Sequence, residues 1–135
     1  MTSLSITHAA RHAPDHPAII TSTRTLSFAD CAAALVEPPP AVIATPTIDT
    51  VLAVYAALEA RRPIAMIHHR LTADETARQA AVIADADLPA DAAVTLFTSG
   101  STGAARGVVL SHTALVAAAR SCSPITTSID RKSVV

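Results

Sequence analysis

Thirteen consecutive residues hold the side chains best suited to chemistry: Leu96-Phe97-Thr98-Ser99-Gly100-Ser101-Thr102-Gly103-Ala104-Ala105-Arg106-Gly107-Val108. An apolar segment runs into a loop of hydroxyl and glycine residues, then one cation, then a second apolar segment. Glycine allows positive φ and a close approach of backbone to ligand. Ser and Thr hydroxyls, and the backbone N–H groups of such a turn, donate to anionic oxygens. Arg106 adds a permanent charge that can fork onto phosphate. The chemistry these residue types share is the holding of a polyphosphate. Two familiar phosphate loops are excluded by spacing. A Walker A loop needs Gly-Lys after Gly and four residues, but the fifth residue after Gly100 is Ala105 and after Gly103 is Val108. The G-x-G-x-x-G dinucleotide fingerprint is absent as well.

The elements that must position this loop can be read from pattern. Ala93–Phe97 is an apolar segment of strand type leading in, and Val108–Leu110 leads out. Ser111 then caps a helix from His112 to about Cys122. Two strands therefore flank the loop before any helix begins, whereas in a P-loop the helix follows directly. Upstream, Leu4–His12 reads as a short helix stopped by Pro14, and Pro17–Ile20 with Arg24–Leu26 as a hairpin across Thr21-Ser22-Thr23. Ser27 with Asp30 three residues on predicts a capped helix to Leu35. After Pro38-Pro39-Pro40, Ala41–Ala44 is a strand and Thr45-Pro46-Thr47 a helix start. Val51, Val54, Tyr55 and Leu58 fall at i, i+3, i+4 and i+7, predicting one apolar helix face. Arg61-Arg62-Pro63 ends that helix, and Ile64–Ile67 is the next strand. Strand, helix and strand make a parallel βαβ unit with a right-handed crossover. Thr72 and Glu75 form a second capping box, for a helix reaching about Ala84, and residues 85–91 are a polar loop. The fold class expected is α/β.

The same stretch, Thr98-Ser99-Gly100-Ser101-Thr102-Gly103 with Gly107-Val108, resembles the phosphate-binding signature of the adenylate-forming (AMP-binding) superfamily, which reads roughly T-S-G-[ST]-T-G-x-P-K-G-V. Ala105 stands where Pro is usual and Arg106 where Lys is usual. The segments Ala13-Pro14-Asp15-His16-Pro17-Ala18-Ile19-Ile20 and Arg24-Thr25-Leu26-Ser27-Phe28-Ala29-Asp30 resemble the superfamily's opening. His68-His69-Arg70-Leu71-Thr72-Ala73-Asp74-Glu75 stands in place of its N-x-R-L-T-x-x-E. The resemblance covers roughly residues 4–123. It implies the N-terminal part of a large adenylate-forming domain, belonging to an ATP-dependent acid–CoA ligase. Such enzymes use ATP, Mg and coenzyme A with a small-molecule carboxylic acid. The site residues implied are Thr98, Ser99, Gly100, Ser101, Thr102, Gly103, Arg106 and Gly107, all holding ATP phosphates. No catalytic residue and no metal ligand is assigned within the chain. The compact N-terminal half looks most like the o-succinylbenzoate–CoA ligase branch of menaquinone synthesis. Two alternatives remain open: an amino-acid adenylation domain of a peptide synthetase, and a non-catalytic nucleotide- or phosphate-binding module.

Composition narrows the partners. The chain has 135 residues, a formal charge of −1 and no basic run, so nucleic acid has no electrostatic footprint here. No cationic segment followed by an apolar core opens the chain, and the apolar run from Val51 to Leu58 is too short to span a bilayer; the expected location is the cytoplasm. Composition leaves the oligomeric state open. Cys31 and Cys122 lie far apart in helical patterns and read as buried or half-buried thiols. His8 and His12 at i, i+4 have no third ligand nearby and read as a solvated face. Residues 1–123 are expected to be an N-terminal piece of an AMP-binding domain and 124–135 an irregular tail. Back-translated, Asp130–Val135 resembles read-through into a sequencing-library adapter, so a truncated reading frame with six artefactual residues is expected. The superfamily's adenine loop, ribose-binding Asp and adenylation Lys have no counterpart in the sequence. The sheet partners of 42–44, 64–67 and 94–97 are expected to be largely missing. Isolated, the chain is therefore expected neither to adenylate nor to fold stably.

Overall fold

Each helix begins on a hydroxyl. In the computed structural model, which describes residues 4–98 and 106–126, Ser5, Ser27, Thr47, Thr72 and Ser111 cap five helices. These are α1 (Ile6–His12), α2 (Phe28–Ala33), α3 (Ile48–Glu59), α4 (Ala73–Ala84) and α5 (His112–Thr126). Both expected capping boxes form. The Asp30 N–H donates to Ser27 Oγ at 3.1 Å and the Ser27 N–H donates to Asp30 Oδ2 at 2.9 Å. The corresponding Thr72 and Glu75 contacts are 3.3 and 3.0 Å. In each case two otherwise orphaned donors at a helix start are satisfied reciprocally. Helix α5 runs to Thr126, past the expected end near Cys122.

Six strands complete the fold. Strands β1 (Pro17–Ile20) and β2 (Thr25–Ser27) form the expected antiparallel hairpin, closed at Thr21, whose Oγ1 accepts from the Arg24 N–H at 2.9 Å. Strands β3 (Ala41–Ala44), β4 (Ile64–His68), β5 (Ala92–Thr98) and β6 (Arg106–Ser111) form one sheet in that order. The first three are parallel, joined through α3 and α4, and β6 is antiparallel to β5. This corrects the expectation that the partners of these segments are missing: Val42 pairs with Met66, and Ile64 with Val94. The βαβ units supply one another's partners, so among the described residues only the outer sides of β3 and β6 are left as edges.

Two hydrophobic clusters support the layers. Ala57, Ile64, Ala93 and Val94 form one, with Val42, Ala53, Leu58, Met66 and Leu115 packed around them. Ile6, Leu26 and Cys31 form the other, beneath Ile19, Phe28, Leu35, Ile48, Leu52 and Tyr55. Burial and the neighbouring Asp30 charge both push the Cys31 thiol up, so it stays protonated. Helix α3 contributes to both clusters, which overturns the single apolar face expected from Val51, Val54, Tyr55 and Leu58. Val51 is exposed, while Thr50, Ala56 and Ala57 are buried. A helix wedged between two cores buries its small residues where the neighbours come closest, and the one-face template does not apply.

Candidate phosphate-binding site

The site rests on the β5–β6 hairpin. The four residues Ala92 to Thr95 at the start of β5 are buried, whereas Leu96 and Thr98 are exposed, so the strand emerges from the core as it approaches the loop. The ladder runs from Val94–Leu110 through Leu96–Val108 and Phe97–Gly107 to Thr98–Arg106. Thr98 Oγ1 also donates to the Arg106 carbonyl at 3.4 Å. Three of the eight expected site residues are thus placed differently from the sequence expectation. Thr98, Arg106 and Gly107 are paired strand residues at the mouth of the hairpin, not loop residues. The reason is that an antiparallel ladder continues while each strand offers donors and acceptors to the other, regardless of loop-like composition. Ser99, Gly100, Ser101, Thr102 and Gly103 lie outside the described residues.

Gly107 does not owe its place to positive φ. A Cβ added there would meet Thr95 Cγ2 at 3.4 Å and Phe97 Cε1 at 3.7 Å, ordinary contact distances, and its φ lies outside the left-handed region. The space beside it on the β5 face would accommodate a Cβ. Arg106 is exposed beside Gly107.

The hairpin mouth opens at the carboxyl edge of the parallel strands, where open α/β sheets bind ligands. The ends of β3 and β4 share that edge. Thr45, Thr47 and Thr50 form a hydroxyl triad there with contacts of 3.0, 3.1 and 3.2 Å, fixing the turn into α3. His68 ends β4; its ring stacks on His69 with centroids 4.8 Å apart, and its Nδ1 accepts from the Arg70 N–H at 3.1 Å. His69 Nδ1 contacts the Ala44 carbonyl at 3.1 Å. His68 is thus the last residue of β4 and His69 the first of the turn that follows. His8 and His12 are likewise stacked and exposed. Among the described residues no group of three or more His, Cys, Asp and Glu side chains is placed to hold a metal. No described helix is long and apolar enough to cross a membrane.

Sequence reasoning missed the residues that fix the other end of the hairpin. Asp91 precedes β5 and His112 follows β6. The His112 N–H donates to the Asp91 carbonyl at 2.9 Å, and Asp91 Oδ2 accepts from Thr113 Oγ1 at 2.8 Å and the Thr113 N–H at 3.2 Å. Those two bonds hold the Asp91 carboxyl below its ordinary range. The only sequence signal was the i, i+2 pattern of Ser111 and Thr113 at a helix start; the partner lies 22 residues away.

Residues 80–135 match the model of the AMP-binding enzyme family. No curated protein matches the sequence. Among solved structures, the chain resembles O-succinylbenzoate coenzyme A synthetase (MenE) from Bacillus subtilis in complex with AMP, with a TM-score of 0.67 and 18% identity. It resembles equally a double mutant of that synthetase bound to the product analogue OSB-NCoA, with a TM-score of 0.67 and 19% identity. The likeness covers 93% of this chain but 46% and 36% of those chains, so the chain spans less than half of their length. At that identity the likeness is one of fold. The family match thus falls on the part of the chain that holds the β5–β6 hairpin, and along nearly its whole length the chain shares the fold of the N-terminal part of an adenylate-forming enzyme domain.

Proposed function

We propose that the chain is the triphosphate-holding part of an ATP-dependent acid–CoA ligase, of the o-succinylbenzoate–CoA ligase type. The observation that carries this reading is the hairpin: the family's phosphate signature falls in sequence between β5 and β6, whose paired ends Thr98 and Arg106 lie at the carboxyl edge of the parallel strands. In the reaction a carboxylate oxygen attacks the α-phosphorus of ATP, and pyrophosphate leaves. The thiol of coenzyme A then attacks the acyl carbon of the adenylate, and AMP leaves. Charge grows on the departing pyrophosphate in the first step. Thr98 and Arg106 flank that group at the hairpin mouth, and the hydroxyls of Ser99, Ser101 and Thr102 complete the donor set. Their contribution is electrostatic and positional. Mg would screen the phosphates and arrive with ATP, since none of these residues is a carboxylate. No proton transfer is required of them. The adenine, ribose and acyl contacts, and the lysine that supports adenylation, lie outside these residues, so the isolated chain holds ATP by one edge and does not adenylate. The protein acts in the cytoplasm.

The test is ATP affinity of the chain and of two variants. Arg106→Ala removes a charge-assisted contact of about 1.5–3 kcal/mol, so ATP should bind roughly ten- to a hundredfold more weakly. Ser101→Asp should weaken it further by like-charge repulsion. Unchanged ATP affinity in Arg106→Ala removes the phosphate-holding role. ATP–pyrophosphate exchange above background with the chain alone would contradict its division of labour.

A further inference from the structure

At the amino edge of the sheet, where α3 ends and β5 begins, lies a groove of about 500 Å³, within the size range of small-molecule sites. Its lining includes Glu59, Arg61, Asp91, His112, Thr113 and Arg120. It is the far end of the hairpin from Arg106: seven residues of β5 at about 3.3 Å each put roughly 20 Å between the two.

The two acids of the groove are already engaged. Glu59 accepts from Ser5 Oγ at 3.1 Å, from Thr7 Oγ1 and from the Thr7 N–H at 3.4 Å. Asp91 accepts both bonds from Thr113. Beside them His112 and Arg61, whose charges lie near Asp91, stand out. His112 is 8% exposed, and its Nε2 is buried with no hydrogen-bond partner. A buried polar atom left in this state carries its full desolvation cost, and native structures rarely tolerate one without a purpose. Arg61 is the second oddity. It has φ 54° and is, among the described residues, the only non-glycine with positive φ. It occupies the turn after α3, where the Arg61 N–H donates to the Leu58 carbonyl at 3.3 Å and the Arg62 N–H to the Ala57 carbonyl at 3.0 Å. That motif ordinarily carries glycine at this position. An arginine is kept there in a strained conformation, on the wall of the same groove as the unpartnered imidazole.

We infer that this groove binds a small phosphate-bearing compound, with His112 Nε2 donating to a phosphate oxygen and the Arg61 guanidinium supplying charge. The inference does not depend on the function of the hairpin mouth. Inorganic pyrophosphate is the probe, with inorganic phosphate as a second arm, titrated into the full chain by calorimetry and by NMR of the His112 ring protons. Saturable binding with a shift of the His112 resonance is expected, weakened tenfold or more by Arg61→Gly and by His112→Gln and retained in Arg106→Ala. Arg61→Gly is the decisive variant. Glycine suits φ 54°, so the variant melts at the same or a higher temperature, and lost binding cannot be assigned to unfolding. Absence of saturable binding, a silent His112 resonance, or full binding in Arg61→Gly overturns the inference. Pyrophosphate binding lost only in Arg106→Ala assigns the ion to the hairpin mouth, which leaves the proposed function standing and removes this one.

Discussion

The two edges of the four-stranded sheet are built on different principles. At the amino edge, elements far apart in sequence are tied by charged hydrogen bonds: Glu59 to α1 across more than 50 residues, and Asp91 to the start of α5. Core side chains there are sealed, Ile64 and Ala93 at 0% exposure. At the carboxyl edge most polar contacts are local, among Thr45, Thr47 and Thr50 or between neighbours such as His68 and Arg70, and the contact of His69 with the Ala44 carbonyl links β4 only to the adjacent strand β3. Apolar residues emerge, with Leu96 40% and Val108 44% exposed. The difference teaches where the hairpin is anchored and where it is open. The amino edge holds the hairpin and the carboxyl edge presents it, so under the proposed function changes at the presenting end should affect ATP and leave the fold nearly untouched.

The comparison breaks most visibly in the core. Ile64→Ala should cost about 2–5 kcal/mol because it empties a sealed site, whereas Leu96→Ala, two residues beyond Ile64's partner Val94, should cost about 1 kcal/mol or less. Paired thermal melts check this, and equal losses would erase the distinction between the edges. Glu59→Gln comes next. It weakens the charged acceptor of Ser5 and Thr7 and should destabilise by about 1.5–3 kcal/mol, detaching α1 first, visible as loss of hydrogen-exchange protection in residues 6–12.

Acid sharpens the comparison further. Hydrogen bonds hold the carboxyls of Asp30, Glu75 and Asp91 below ordinary values of 3.8, 4.5 and 3.8. At Glu59 burial pushes the carboxyl up, but the bonds from Thr7 and Ser5 outweigh it and the net direction is down. A depressed folded value means that these groups bind protons more readily unfolded. Their contribution is therefore complete above the ordinary values and is lost as pH falls through the lower folded ones. Melting temperature should be level from neutral pH to about 5 and fall below about 4, less steeply in Asp91→Asn. A fall beginning near neutrality would reject this assignment. The smallest effect belongs to Thr98→Ala, which removes one exposed 3.4 Å contact and should change stability by less than about 0.5 kcal/mol. A large loss would show that the mouth holds the hairpin as well as presenting it.

What could be read from the sequence was local. Ser27 with Asp30 and Thr72 with Glu75 announce their helices because both partners lie within one turn. The strand segments 41–44, 64–67 and 93–97 announce themselves by apolar runs bounded by Pro, Arg and polar loops. Pairing is a different matter. That Arg106 and Gly107 join β6 depends on the register set by Val94 and Leu110, which composition does not encode. The roles of Glu59 and Asp91 are not visible in the sequence, because their partners lie 52 and 22 residues away. Arg61 looked like a favourable charge at a helix end; its left-handed backbone follows from the tight return into β4. Val51 was assigned to the core by a rule that assumes one neighbour, and α3 has two.

That double neighbourhood bears on how the molecule opens. Ala53, Ala57 and Leu58 of α3 pack on the sheet, while Ile48, Leu52 and Tyr55 pack on the hairpin-and-helix layer formed by the first 35 residues. Neither layer can separate without unseating the same helix. Amides of α3 should exchange only through global opening, at one common free energy, whereas α4, whose contacts go mainly to β4, should fray on its own. A single twelve-residue helix thus makes one cooperative unit of two layers that share little else.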